Sequence, residues 1–250
     1  MFKTNIKKLD ILTLFPDIIK AYLAESIIKR AIDSKKINID VHNIRDCTED
    51  KHHQVDDVPY GGSTGMVLQP GPIKKTLDKL RKKNTCVIVF SPVGNTLNMD
   101  IIKELLAKPH LILISGHYEG IDRRVDNYVD RKISVGDYVL TGGELPALLL
   151  SDALIRLLPG VLGNTNSFQE DSFFNNLLDW DVYTRPKKFE NFTVPDILLS
   201  GNHKKIERWK KRSAIINTLR YKPDLLARHK PDEEEEKIIK HYFLEEDCDE

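Results

Sequence analysis

Three short segments hold the residues best suited to gripping a ligand: Ser91-Pro92-Val93-Gly94, Gly116-His117-Tyr118-Glu119-Gly120 and Gly136-Asp137-Tyr138-Val139-Leu140-Thr141-Gly142-Gly143-Glu144. Glycine allows close backbone approach and positive φ angles. Two of the segments also set a tyrosine beside their glycines, a combination suited to a flat polar ligand. The usual nucleotide signatures are missing. The first strand candidate ends in Phe15-Pro16-Asp17, without the GxGxxG turn of a dinucleotide fold, and no GxxxxGK[ST] occurs. His52, His53 and His117 lack metal-ligand spacing, so no metal site is assigned. Cys47, Cys86 and Cys248 form no CxxC pair, which leaves neither a disulfide framework nor a zinc knuckle. Acid–base chemistry has one candidate pairing, Arg156 with Glu170-Asp171. Taken singly, such an Asp is more often a helix N-cap or a solvated acid, and such an Arg a surface charge.

The elements that must position these segments alternate. Lys8–Phe15 and Ile37–Ile44 are rich in branched apolar residues, and Thr85–Phe90 and His110–Ser115 are nearly continuous apolar runs. Such runs mark strands covered on both faces. Helical spacing recurs at Ile28 and Ile32, at Ile73, Leu77 and Leu80, at Ile101, Leu105 and Leu106, and over about Glu144–Leu157 with Pro146 in the first turn. Alternation of this kind predicts an α/β domain with a parallel sheet, whose strand ends bring the three segments to one edge. The 25 residues from Arg45 to Gln69 are too long for a mere connection and read as a lid or substrate-binding loop. After Pro159 the texture changes. Gly160–Gln169 is small and polar, and beyond Phe173 the pattern is helical at Asp196–Leu199, Lys204–Arg220 and Glu233–Phe243, with no strand series.

At 250 residues, 40% hydrophobic and 30% charged, the chain has enough apolar area for a sizeable core. Its 38 basic and 38 acidic residues exclude a histone-like, wholly basic binder. The zero sum conceals a separation. Residues 201–230 carry ten Lys/Arg against two acids, and residues 231–250 carry ten acids against two Lys. A polyanion-binding segment thus precedes an acidic tail that could compete for the same cations; two solvated helix faces is the plainer reading. No apolar stretch approaches the roughly 18 residues of a membrane span, and no apolar signal core follows the first residues, so a soluble, cytoplasmic protein is expected. Up to this point an RNA-binding module, explained by the basic segment, and a nucleotide-using metabolic enzyme, explained by the glycine loops, both remain open.

A longer set of motifs narrows the choice. Arg45-Asp46, Val55-Asp56-Asp57-x-Pro59-Tyr60-Gly61-Gly62, Gly116-x-Tyr118-Glu119-Gly120-x-Asp122 and Val135-Gly136-Asp137-Tyr138-Val139-Leu140-x-Gly142-Gly143-Glu144-Leu145 resemble the bacterial tRNA (guanine-N1)-methyltransferases. So do Pro159-Gly160-Val161-Leu162-Gly163, Asp171-Ser172, Tyr183-Thr184-Arg185-Pro186 and Leu198-Leu199-Ser200-Gly201-Asn202-His203, in order, between about residues 8 and 226. Departures occur at Val93, His117, Ser63-Thr64 and Gly71. The resemblance implies a parallel-sheet SPOUT domain with a deep trefoil knot over 1–160, a linker over 161–172, and a smaller, mostly helical tRNA-binding domain with an acidic tail over 173–250. It implies S-adenosylmethionine held by Phe90, Ser91 and Pro92, by Gly116, Tyr118 and Glu119, and by Val135, Gly136, Asp137, Tyr138, Val139 and Leu140, with Gly142 and Gly143 closing the pocket. The substrate implied is the guanine immediately 3′ of the tRNA anticodon, with Asp171 as general base and Arg156 beside the reacting guanine. A homodimer with composite active sites is implied as well. In the family a divalent ion, usually magnesium, assists, and no residue of this sequence is assigned to it.

Overall fold

In the computed structural model, which describes residues 3–162 and 171–246, the apolar runs form the middle of one parallel sheet. Its strands are β1 (Lys8–Thr13), β2 (Asn38–Asn43), β5 (Thr85–Thr96), β6 (His110–Ile114) and β7 (Arg131–Ser134), in the order β2-β1-β6-β5-β7. All four pairings are parallel, with Leu9 beside both Ile39 and Leu111, and Val87 beside Ile112. Side chains alternate across a strand. Leu12, Val87, Val89, Ile112 and Ile114 therefore share one face, where they pack with Ile73 and Leu77 of α3 (Pro70–Leu80). Their alternates Ile11, Ile88, Leu111 and Leu113 turn to the other face and are equally buried. A second helical layer consists of α1 (Pro16–Leu23), α2 (Ser26–Asp33), α4 (Met99–Leu106) and α5 (Glu144–Ile155), with α5 touching the other three and burying Ala147, Leu150 and Leu154. Both faces are covered, which explains central strands that are apolar along most of their length. Truncating any one of these leucines to alanine is expected to cost about 2–5 kcal/mol.

Several boundaries differ from the sequence reading, each for a tertiary reason. β5 does not stop at Phe90. Phe90 and Asn95 both lie opposite Ile133, so residues 91–94 bulge out and the strand resumes to Thr96. α5 ends at Ile155, two residues short of the expected Leu157, with Arg156 as its exposed C-cap. The long connection from Arg45 to Gln69 is partly built. A 3-10 turn spans Ile44–Cys47, and β3 (Asp56–Asp57) pairs antiparallel with β4 (Val67–Leu68). Val55 and Leu68 are wholly buried there, while Val58 and Tyr60 stand in solvent at the tip.

The chain divides into two compact units, Met1–Thr165 and Asn166–Glu250. Most of the expected linker lies outside the described residues. Within the second unit, β8 (Lys188–Phe189) and β9 (Phe192–Thr193) form a short antiparallel hairpin where no strand was expected. The helices are α6 (Asp196–Leu199), α7 (His203–Tyr221) and α8 (Glu233–Glu246), and α7 contacts both of the others. Asn202 caps α7 by accepting from the Lys205 amide.

One feature of the sheet is polar. Asp10, in the middle of β1, is 0% exposed, and its carboxylate accepts from His42 Nε2 at 2.8 Å and His110 Nε2 at 2.6 Å. Thr85 Oγ1 lies 2.8 Å from His110 Nδ1. Burial alone would push the Asp10 carboxyl up, but the two imidazole hydrogen bonds and the nearby Lys8 ammonium outweigh it and hold the group below the ordinary carboxylate value. A carboxyl lowered by folding contributes stability above its unfolded value, near 3.8, and loses it as pH falls through the lower folded value. Asp10→Asn is accordingly expected to destabilise the neutral protein by about 3 kcal/mol. It should also remove part of the acid-side slope of stability against pH. Urea unfolding of both proteins between neutral and strongly acidic pH checks this; parallel curves would remove Asp10 as a source of that slope.

Candidate cofactor pocket and the residues around it

The three glycine-bearing segments meet. They line a cavity of about 380 Å³ at the C-terminal edge of the sheet, formed by the bulge of β5, the turn after β6 and the loop between β7 and α5. Each turn is built by local necessity. In the β5 bulge, a Cβ on Gly94 would sit 2.5 Å from the backbone nitrogen of Ile133, so no other residue fits there without moving β7. After β7, Gly136 takes φ +142, and Ser134 Oγ both donates to its carbonyl at 3.1 Å and accepts from its amide at 3.2 Å. Tyr138 lies across that turn, its hydroxyl donating to the Val135 carbonyl at 3.1 Å.

Main-chain bonds lock the loops to one another. The Gly143 amide donates to the Gly116 carbonyl at 2.7 Å, and His117 forms an isolated bridge with Gly142. A Cβ on Gly143 would lie 2.7 Å from the Ser115 Cα, which makes glycine obligatory at this crossing. The second loop is tied equally to the Arg45–Gln69 connection, because the Glu119 amide donates to the Met66 carbonyl and the Leu68 amide to the Gly120 carbonyl. Beneath the pocket, Glu144 at the start of α5 is 5% exposed and accepts from the Thr13 hydroxyl at 2.7 Å. A carboxylate in that first turn is favoured by the helix dipole. His117 lines the cavity, stacked in a tilted contact on Phe15 with centroids 4.8 Å apart. Its Nδ1 is 3.8 Å from Glu144 Oε2 and, among the described residues, is buried without a hydrogen-bond partner.

Of the residues expected to hold a cofactor, Phe90, Ser91, Pro92, Gly116, Tyr118, Glu119, Val135, Gly136, Tyr138, Val139, Leu140, Gly142 and Gly143 all line this cavity. Asp137 does not. The turn that puts Gly136 and Tyr138 on the wall leaves Asp137 off it. Lining residues that the sequence reading did not single out include Ile121, Pro146 and the ion-paired trio Arg123, Asp126 and Lys132. Arg123 Nε and Lys132 Nζ both reach Asp126 Oδ2 at 2.6 Å. Their spacing follows no motif, so nothing in the sequence joins them. Arg156 and Asp171 belong to different units. Arg156 is exposed at the end of α5; Asp171, partly buried, lines a groove of about 680 Å³ with Trp180, Lys204, Arg208 and Lys211.

Comparison with known proteins decides the family. Residues 7–228 match the family described as tRNA (Guanine-1)-methyltransferase TrmD. The chain belongs to that family. Proteins named tRNA (guanine-N(1)-)-methyltransferase are similar to it along most of their length. The one from Dictyoglomus turgidum is 50% identical over 221 residues, 88% of this chain and 90% of the relative. That of Staphylococcus haemolyticus is 48% identical over 237 residues, covering 94% and 97%, and that of Syntrophomonas wolfei 48% over 232 residues, covering 93% and 95%. The family match takes in all three glycine-bearing loops, Arg156 and Asp171, and stops before α8. Among the described residues, no group of three or more His, Cys, Asp or Glu side chains is placed to hold a metal ion. No described helix is long and apolar enough to cross a membrane.

Proposed function

We propose that the chain transfers the methyl group of S-adenosylmethionine to N1 of the guanine immediately 3′ of the tRNA anticodon. One observation carries the reading: three glycine-bearing loops line a single cavity in a member of this family. The residues there fit such a cofactor. Glycines 142 and 143 leave no room for side chains, and a Cβ on Gly116 would press on Ile121. His117, whose Nδ1 has no hydrogen-bond partner among the described residues, lines the same cavity. When bound, the sulfonium supplies an electrophilic methyl group. The protein's part is to hold the acceptor nitrogen in line with it and to manage one proton.

That proton is the difficulty. Guanine N1 titrates near roughly 9 and an ordinary aspartate near about 3.9, a gap of about 7 kcal/mol. Asp171 is the base in this reading. Arg156, set beside guanine O6, stabilises the negative charge that develops as the proton leaves, which lowers the barrier from the substrate side. No residue is assigned to magnesium, and no step is routed through a metal. The rest of the reading follows the family resemblance: a knotted cofactor-binding domain over 1–160, a linker over 161–172, a tRNA-binding domain over 173–250, and a cytoplasmic homodimer whose sites draw on both chains. Exposed Lys204, Lys205 and Arg208 support the role of α7 as an RNA-facing helix, with half-buried Trp209 among them in a tilted contact with Tyr183, centroids 6.2 Å apart. The decisive experiment incubates the chain with tRNA and labelled S-adenosylmethionine and maps the methylated position. Label at N1 of the guanine 3′ of the anticodon supports the reading; label elsewhere, or none, overturns it.

A further inference from the structure

The basic face of α7 is already occupied by carboxylates of the same chain. Arg208 Nε lies 3.0 Å from Glu234 Oε1, and Lys211 Nζ reaches Asp232 Oδ2 at 2.5 Å and Glu234 Oε2 at 3.7 Å. Both cations and Glu234 line the groove that holds Asp171 and Trp180. The acidic turn does not depend on these pairs for its shape. Asp232 and Glu235 form a reciprocal cap at the start of α8. Asp232 Oδ1 accepts from the amides of Glu234 and Glu235, and Glu235 Oε2 accepts from the Asp232 amide at 2.8 Å. His229 Nε2 adds a bond to the same Glu235 oxygen at 3.0 Å. One Asp232 oxygen thus holds the helix while the other grips Lys211. α8 begins beyond residue 228, where the family match ends.

We propose that the Asp232–Glu234 turn is a built-in competitor for RNA backbone phosphates on the α7 face. This rests on the reading that α7 binds tRNA. Carboxylate and phosphate oxygens satisfy the same guanidinium and ammonium donors, so RNA reaches Arg208 and Lys211 only by displacing Glu234 and Asp232. The pairs suit displacement. They are surface ion pairs of small individual worth, with Arg208 exposed and Lys211 half-buried, tethered at high local concentration by the cap. The acidic segment therefore weakens RNA binding most at low salt, where phosphate contacts count for most.

The test uses the full chain with Asp232→Asn and Glu234→Gln together. Asn caps a helix as well as Asp does, and Gln keeps helix propensity, so α8 should stay folded while its two charges are lost. Circular dichroism verifies this. The variant is expected to bind tRNA about three- to tenfold more tightly at low salt, and the gain should shrink as salt rises. In an Arg208→Ala, Lys211→Ala background the same acid replacements should give no gain. A gain that survives there reflects general charge and overturns the competitor. If the acid variant binds no more tightly while Arg208→Ala, Lys211→Ala weakens binding, the competitor is overturned and the α7 reading stands. If the cation variant binds tRNA as well as the parent, α7 is not the RNA face and both fall.

Discussion

Asp171→Asn is expected to lower methyl transfer to tRNA by about 10²–10⁴-fold, the usual contribution of a positioned general base. The amide keeps the shape of the side chain and cannot take a proton from guanine N1. Because the cavity proposed for the cofactor is lined, among the described residues, by residues between 89 and 146, S-adenosylmethionine binding should stay nearly unchanged, as calorimetry will show. The loss should fall on kcat rather than on KM for tRNA, since the interaction removed exists in the transition state. Asp171 also lines the groove with Trp180 and Arg208, so a purely structural role would instead weaken tRNA binding and leave kcat at saturation intact. Turnover within about tenfold of the parent would take the base role away from Asp171. Arg156→Ala should also lower turnover more than cofactor affinity. Arg156 caps α5 outside the cavity of the three glycine-bearing loops, so its removal leaves the lining of that cavity intact.

The parts legible in the sequence are those where one residue's surroundings are set by its neighbours along the chain. Thr85–Val89 and His110–Ile114 read as buried strands because nearly every position is apolar when helices cover both faces. The glycine loops were readable because a parallel sheet sends all its strand ends to one edge. What escaped depends on partners far away. The return of β5 at Asn95 and Thr96 is imposed by pairing with Ile133 and Ser134, which no local pattern encodes. The Arg45–Gln69 connection is held by main-chain bonds from its own Met66 and Leu68 to Glu119 and Gly120, and main chain leaves no composition signal. Asp10 did leave a trace, as a lone acid inside an apolar strand, but His42 and His110 come from two other strands, 32 and 100 residues away. Asp137 shows the converse: it sits inside a matching motif and yet is not among the residues that line the cavity. In the acidic tail the charge excess was visible, whereas the two carboxylates that engage α7 were fixed only by the cap at Asp232.

Mixing two inactive chains should restore activity, and the amount recovered is calculable. One chain carries Asp171→Asn, the other Gly142→Trp. In the second, even a Cβ would meet Glu144 Oε2 at 2.3 Å and His117 Nδ1 at 2.6 Å, and Glu144 cannot swing clear without giving up Thr13. An indole there fills the pocket, so this chain should not bind S-adenosylmethionine. Homodimers of either variant should have no working site. If each site takes its pocket from one chain and Asp171 from the other, a mixed two-fold dimer has one site with both lesions and one with neither. Random exchange of equal amounts makes half the dimers mixed, so about a quarter of parental activity returns. Sites built within one chain give a different result. Each chain would then carry its own lesion whatever its partner, and mixing would restore nothing. Mass spectrometry of the mixture establishes that mixed dimers form, and thermal unfolding of Gly142→Trp establishes that it is folded. With both in hand, recovery near a quarter supports the composite site, and none in confirmed mixed dimers assigns Asp171 to the cofactor pocket of its own chain.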